Sequence, residues 1–117
     1  MRDFPFPVYL RAHRKRWALS QPQLATLLGV AAHTTISRYE LSSRHPTIEA
    51  LIGSEFVFGE PARKLFPSLY SSVERGVMHR VGLFAEIIGD KDDGVSRVQR
   101  ELLEAIAVRA ATNKSHI

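Results

Sequence analysis

Apolar residues along the chain recur at three- and four-residue steps, the period of an amphipathic α-helix, and glycines and prolines cut that pattern into segments. Val8, Leu10 and Trp17, with Arg11, Arg14, Lys15 and Arg16 around them, predict a short first helix over 8–17 with one wet basic face, and Pro7 suits its first turn. In LSQPQLATLLGV, Ser20 and Gln23 have the spacing of a capping box and Pro22 is tolerated in a first turn. Leu24, Leu27 and Leu28 form an apolar stripe, which Gly29 ends with a left-handed turn. A third helix over 33–41 follows if Ile36 and Tyr39 face the core. At about 100° per residue, its opposite side then carries Thr34, Ser37, Arg38 and Leu41, with His33 at the flank. SSRHP is a loop, and Thr47 can cap a fourth helix containing Ile48, Leu51 and Ile52. FGEPARKLFPSL holds a short fifth helix, bracketed by Gly59 and Pro61 at one end and Pro67 at the other.

Beyond Pro67 the segments lengthen. Leu69, Val73, Val77, Val81, Phe84 and Ile88 predict a helix of about six turns, weakened by about 1 kcal/mol at each of Gly76 and Gly82. GDKDDG is a turn. Ser96 and Gln99 again have capping-box spacing, and Val95, Val98, Leu102 and Ile106 carry an amphipathic helix to about Ala111. The pattern predicts an all-α chain: a five-helix head over 1–66 and a C-terminal helical hairpin over 67–117. The hairpin is too thin to fold alone. A head with its own core leaves two amphipathic helices that must cover its open face or meet a second subunit. A homodimer is expected, with Val77, Phe84, Leu102 and Ile106 as candidate contacts.

Composition narrows the chemistry. At 117 residues, 44% hydrophobic and 24% charged, the chain has the make-up of one soluble domain with an appended element. It has no apolar run long enough for a bilayer and no uninterrupted apolar core of a secretory signal near its start, so the expected location is cytoplasmic. Zero cysteines exclude disulfides, a thiol nucleophile and cysteine-ligated metals. His13, His33, His45, His79 and His116 show no metal-site spacing. Asp90, Asp92 and Glu101 fall at calcium-loop positions, but Val95 stands where the sharp turn needs glycine, so these acids read as turn residues. No nucleophile elbow or glycine-rich phosphate loop is present, so neither an enzyme nor a cofactor is expected. The net charge of +4 is lopsided: residues 1–47 hold seven Arg and Lys against two acids, and residues 48–117 hold nine against ten. The basic excess belongs to the N-terminal part and suits a polyanion such as nucleic acid.

A short helix, LSQxxLAxLLGV, TISRYE and an RxPT loop opening a further helix together resemble the phage-repressor or Xre-type helix-turn-helix family of bacterial DNA-binding regulators. The resemblance covers about residues 8–66. Ser20, Gln21, Ala25, Gly29, Val30, Ile36, Ser37, Arg38 and Glu40 match in order. In motif terms Ala25 is small where two helices cross, Gly29 makes the turn, and Val30, Ile36 and Tyr39 bury the hinge side. The resemblance implies a nucleoid-associated regulator, most simply a repressor, that binds double-stranded DNA as a dimer. Its third helix would read base edges through His33, Thr34 and Arg38. It implies backbone contacts from Gln21, Thr35, Ser37, Ser43 and Arg44, with Arg11 and Arg14 adding phosphate contacts. The chain departs from the common pattern in four places. The turn is one residue longer, Ala32 replaces a capping serine, Ala18 replaces a helix-ending glycine, and His13 replaces a leucine. The rival expectation is a protein-interaction module, or a DNA-binding antitoxin, that works mainly through the helical tail.

Overall fold

The computed structural model describes residues 8–115, so Pro7 and His116 lie outside the described residues. Among the described residues the chain is all-α, with seven helices and no strand. Each of the short helices begins and ends where its local chemistry dictates. α1 (Leu10–Arg16) has no side-chain cap and is anchored instead by the Tyr9 N–H, which donates to the Leu65 carbonyl at 2.9 Å. α2 (Gln21–Leu28) starts in a complete capping box: the Gln23 N–H donates to Ser20 Oγ at 3.1 Å, and the Ser20 N–H donates to Gln23 Oε1 at 2.9 Å. It ends at Gly29, whose φ of 71° is the left-handed conformation glycine adopts without a Cβ penalty. The Val30 N–H then closes back on the Ala25 carbonyl at 2.8 Å.

α3 (His33–Glu40) opens at Ala32 with no side-chain cap. α4 (Ile48–Phe58) is capped by Thr47, which accepts from the Ala50 N–H at 3.1 Å. α5 (Ala62–Leu65) is a single turn leading into α6 (Pro67–Ile88). The core joins these elements through Leu10, Leu24, Ala25, Ile36, Tyr39, Ala50, Leu65 and Phe66, with Leu28, Val30, Leu51 and Phe58 packed against it. Leu10, Leu24, Ile36 and Leu65 are fully buried, each worth about 1.5–3 kcal/mol of transfer from water.

Two apolar expectations in this region are corrected. Trp17, expected to face inward from the first helix, is 63% exposed, because the helix ends at Arg16 and Trp17 becomes its C-cap. Leu27 is also exposed, leaving Leu24 and Ala25 as the buried pair of α2. His13, in place of a leucine, is half-buried with its ring 5.7 Å from that of Phe58.

The chain divides into compact units at Ser71 and Ser72, inside α6, whereas the sequence punctuation at Pro67 marks the start of that helix. The second unit holds the rest of α6 and α7 (Gly94–Ser115). The two helices run antiparallel, because residues 89–93 turn between them while Asn113 Nδ2 donates to Glu74 Oε2 at 3.1 Å near their far ends. The start of α7 corrects the sequence reading: its cap is Asp93 rather than Ser96. Asp93 Oδ1 accepts from the Ser96 N–H and Oδ2 from the Ser96 hydroxyl, both at 2.9 Å.

Candidate nucleic-acid interface

Glu40 is the only acidic residue between Val8 and Thr47. It closes α3, and its side chain is almost entirely buried where it meets α1 and α2. Arg14 reaches it with two donors, Nε to Oε2 at 2.6 Å and Nη2 to Oε1 at 3.2 Å. Gln21 Nε2 adds a third bond to Oε1 at 3.1 Å, and Arg14 Nη1 donates to the Leu19 carbonyl at 2.8 Å. Such a charge-assisted fork fixes geometry as well as energy. One carboxylate thus registers the first three helices and the loop between α1 and α2.

This arrangement overturns one expectation. Arg14, assigned to the wet basic face as a phosphate contact, is only 7% exposed, with its guanidinium committed to Glu40 and Leu19. Arg11, on the same helix, is exposed and stays available to a ligand. Gln21 is half-buried and held by Glu40, so its amide is oriented at the N-terminus of α2.

Pairing Glu40 inward has an electrostatic consequence. No exposed acid from residues 8–47 offsets Arg11, Lys15, Arg16, Arg38 and Arg44, all five of which are exposed. Among the described residues no carboxylate forms an ion pair with any of them. Arg38 therefore has neither the Glu40 nor the Glu49 partner that an isolated surface arginine would ordinarily find. Residues 8–47 thus present only positive charge to solvent.

The face of α3 opposite Ile36 and Tyr39 is open. His33, Thr34 and Arg38 are exposed, Thr35 and Ser37 half-buried, and Leu41, the C-cap, exposed. The motif-core residues Ala25, Ile36 and Tyr39 are buried, Val30 is half-buried, and Gly29 sits exposed at the turn. Ser43 and Arg44 follow the helix. The Ser43 N–H and hydroxyl both donate to the Arg38 carbonyl, at 3.0 and 3.3 Å, so Ser43 closes α3 while Arg44 projects freely.

Sequence periodicity left one feature unseen. Ala50 and Ser54 bury one side of α4, yet Ile48, Ile52 and Phe56, four residues apart on the other side, are 74%, 59% and 90% exposed. With apolar residues on most sides of α4 and Ser54 on the buried one, periodicity gives little direction to its outer face, and the four-residue step was the available signal.

In the second unit, Val77, Phe84 and Leu102 are exposed and Ile106 half-buried, while Ile88 and Ser96 are the buried residues among those described. An open groove of about 580 Å³ lies between α6 and α7, floored by Met78, Ala107, Ala110 and Ala111. No described helix is long and apolar enough to cross a membrane, and no cluster of metal-ligating side chains occurs among the described residues. No protein-family model, curated protein or solved structure matches the chain.

Proposed function

We propose that the chain is a sequence-specific DNA-binding regulator of the phage-repressor or Xre type, acting as a repressor, with α3 reading the major groove. The observation that carries this reading is the cationic head: every exposed charge from residues 8–47 is positive, and the one acid is buried against Arg14. On this reading Arg38 pairs with guanine O6 and N7, and Thr34 meets a thymine methyl or an acceptor. His33 contacts a neighbouring base edge. Gln21, Thr35, Ser37, Arg44 and Arg11 hold the backbone, with Ser43 limited by its bond to Arg38. The hairpin joins two subunits, so the operator is near-palindromic.

Selection from a random duplex pool tests this, followed by titration of the enriched site with wild type and Arg38→Ala at two salt concentrations. The expected result is a two-half-site sequence that binds less tightly as salt rises. Arg38→Ala then costs about 1–3 kcal/mol and relaxes preference at one position. Equal loss on all sequences would reassign Arg38 to phosphate. The second reading, a protein-interaction module, is favoured by the bare stripe of Ile48, Ile52 and Phe56 together with the open hairpin. Failure to enrich any duplex with a folded protein would select it.

A further inference from the structure

We propose that Trp17 is a DNA-backbone contact of this protein. Its indole packs on the sugar–phosphate chain beside the N-terminus of α2, with Arg16 as its cationic companion. The proposal rests on the reading of the head as DNA-binding and adds to it a residue that base-reading logic does not reach.

The Trp17 ring is 63% exposed, and the backbone that carries it is fixed by hydrogen bonds. The Trp17 N–H bonds the Arg14 carbonyl at 3.2 Å, the Ala18 N–H bonds the Lys15 carbonyl at 3.0 Å, and the Leu19 N–H bonds the Arg14 carbonyl at 3.1 Å. The Leu19 carbonyl is in turn gripped by Arg14, whose other donors are locked on Glu40. The loop carrying Trp17 is therefore fixed by the same carboxylate that orients Gln21, four residues further on. Trp17 lies in the loop that leads into α2, four positions before Gln21.

The surroundings select the partner. Arg16 lies over the indole with its guanidinium carbon 5.9 Å from the ring centroid, and Arg11 and Lys15 are exposed on the same short helix. None of the three forms an ion pair among the described residues. An indole beside Arg16, with Arg11 and Lys15 exposed and without ion pairs on the same helix, suits a polyanion with apolar sugar faces. The ring packs on the deoxyribose faces, its N–H donates to a phosphate oxygen, and the arginine neutralises the same strand. The apolar stripe of α4 differs in having no such cationic frame.

Trp17 is the only tryptophan in the chain, so its emission reports on this site alone. The full chain is titrated with an unlabelled random-sequence duplex while indole emission is followed, and binding is measured independently by the anisotropy of a fluorescein-labelled copy. The expected result is an emission change that tracks the anisotropy. Trp17→Ala then binds about fivefold to tenfold more weakly on every sequence. Because the indole is neutral, that loss leaves the salt slope unchanged, whereas Arg16→Gln lowers the slope by about one. Trp17→Phe recovers part of the affinity. Binding by anisotropy with unmoved emission and wild-type affinity in Trp17→Ala overturns the Trp17 contact and leaves the DNA reading standing. No binding by either readout overturns both. Emission that shifts with protein concentration and not with duplex makes Trp17 a protein contact and also overturns the proposal.

Discussion

Ala18 stands where a glycine ends the first helix in the resembling family, and its φ of 58° shows the cost of that exchange. A residue with a Cβ in the left-handed region is strained by about 1–2 kcal/mol. Ala18 endures it because its neighbours on both sides are hydrogen-bonded to α1. Ala18→Gly should therefore raise stability by about 0.5–1 kcal/mol, the relieved strain outweighing glycine's extra unfolded-state entropy. A melting curve a few degrees higher checks it. The Arg14–Glu40 pair behaves in the opposite sense. Glu40→Gln leaves a guanidinium buried without its counter-charge and should cost about 3–5 kcal/mol in denaturant titrations. Replacing both partners with methionine should recover most of that loss, because the uncompensated charge is then gone. Additive losses in the double variant would show that the two residues act independently, through their bonds to Leu19 and Gln21 rather than through each other.

At the level of elements, capping and turn chemistry were legible and long-range polar contacts were not. The Ser20 box, the Gly29 turn and the Thr47 cap each depend on residues within a few positions, so the sequence alone suffices to find them. Arg14 was misassigned because its partner lies 26 residues away and a basic helix read by itself looks solvated. The outer face of α4 was missed because apolar residues lie on most sides of that helix. The cap of α7 was displaced by three residues, since both Asp93 and Ser96 are good capping types and only geometry chooses between them. That choice has a pH signature. Hydrogen bonds from the Ser96 N–H and hydroxyl hold the Asp93 carboxyl below its usual value near 3.8. A depressed carboxylate contributes stability that is fully present above its unfolded pKa and is lost as pH falls through the folded one. The first turn of α7 should accordingly stay intact at neutral pH and fray only below about pH 4. In Asp93→Asn that transition should vanish. Exchange of the Ser96 amide as a function of pH measures both.

For the whole molecule, the main contrast is between a head with a closed core and a tail without one. Among described residues of the second unit only Ile88 and Ser96 are buried, while Val73, Leu83, Ile87, Val95, Val98 and Val108 join Val77, Phe84 and Leu102 on the surface. Two helices cannot enclose a core; four can, and in the proposed dimer a second copy of the hairpin would supply the missing two. The proposed dimer rests on those exposed apolar residues. It also fits a DNA reader, because a two-fold protein matches half-sites about 34 Å apart. If the tail joins subunits, wild type sediments as a dimer at tens of micromolar, and its melting temperature rises with protein concentration. Leu102→Asp should then sediment as a monomer, since two desolvated carboxylates would face each other or apolar neighbours across the interface. Its head, with a separate core, should still bind a single half-site as wild type does while losing the gain from the second. A wild type that sediments as a monomer would remove the dimer and leave the exposed apolar residues of the tail to a different partner.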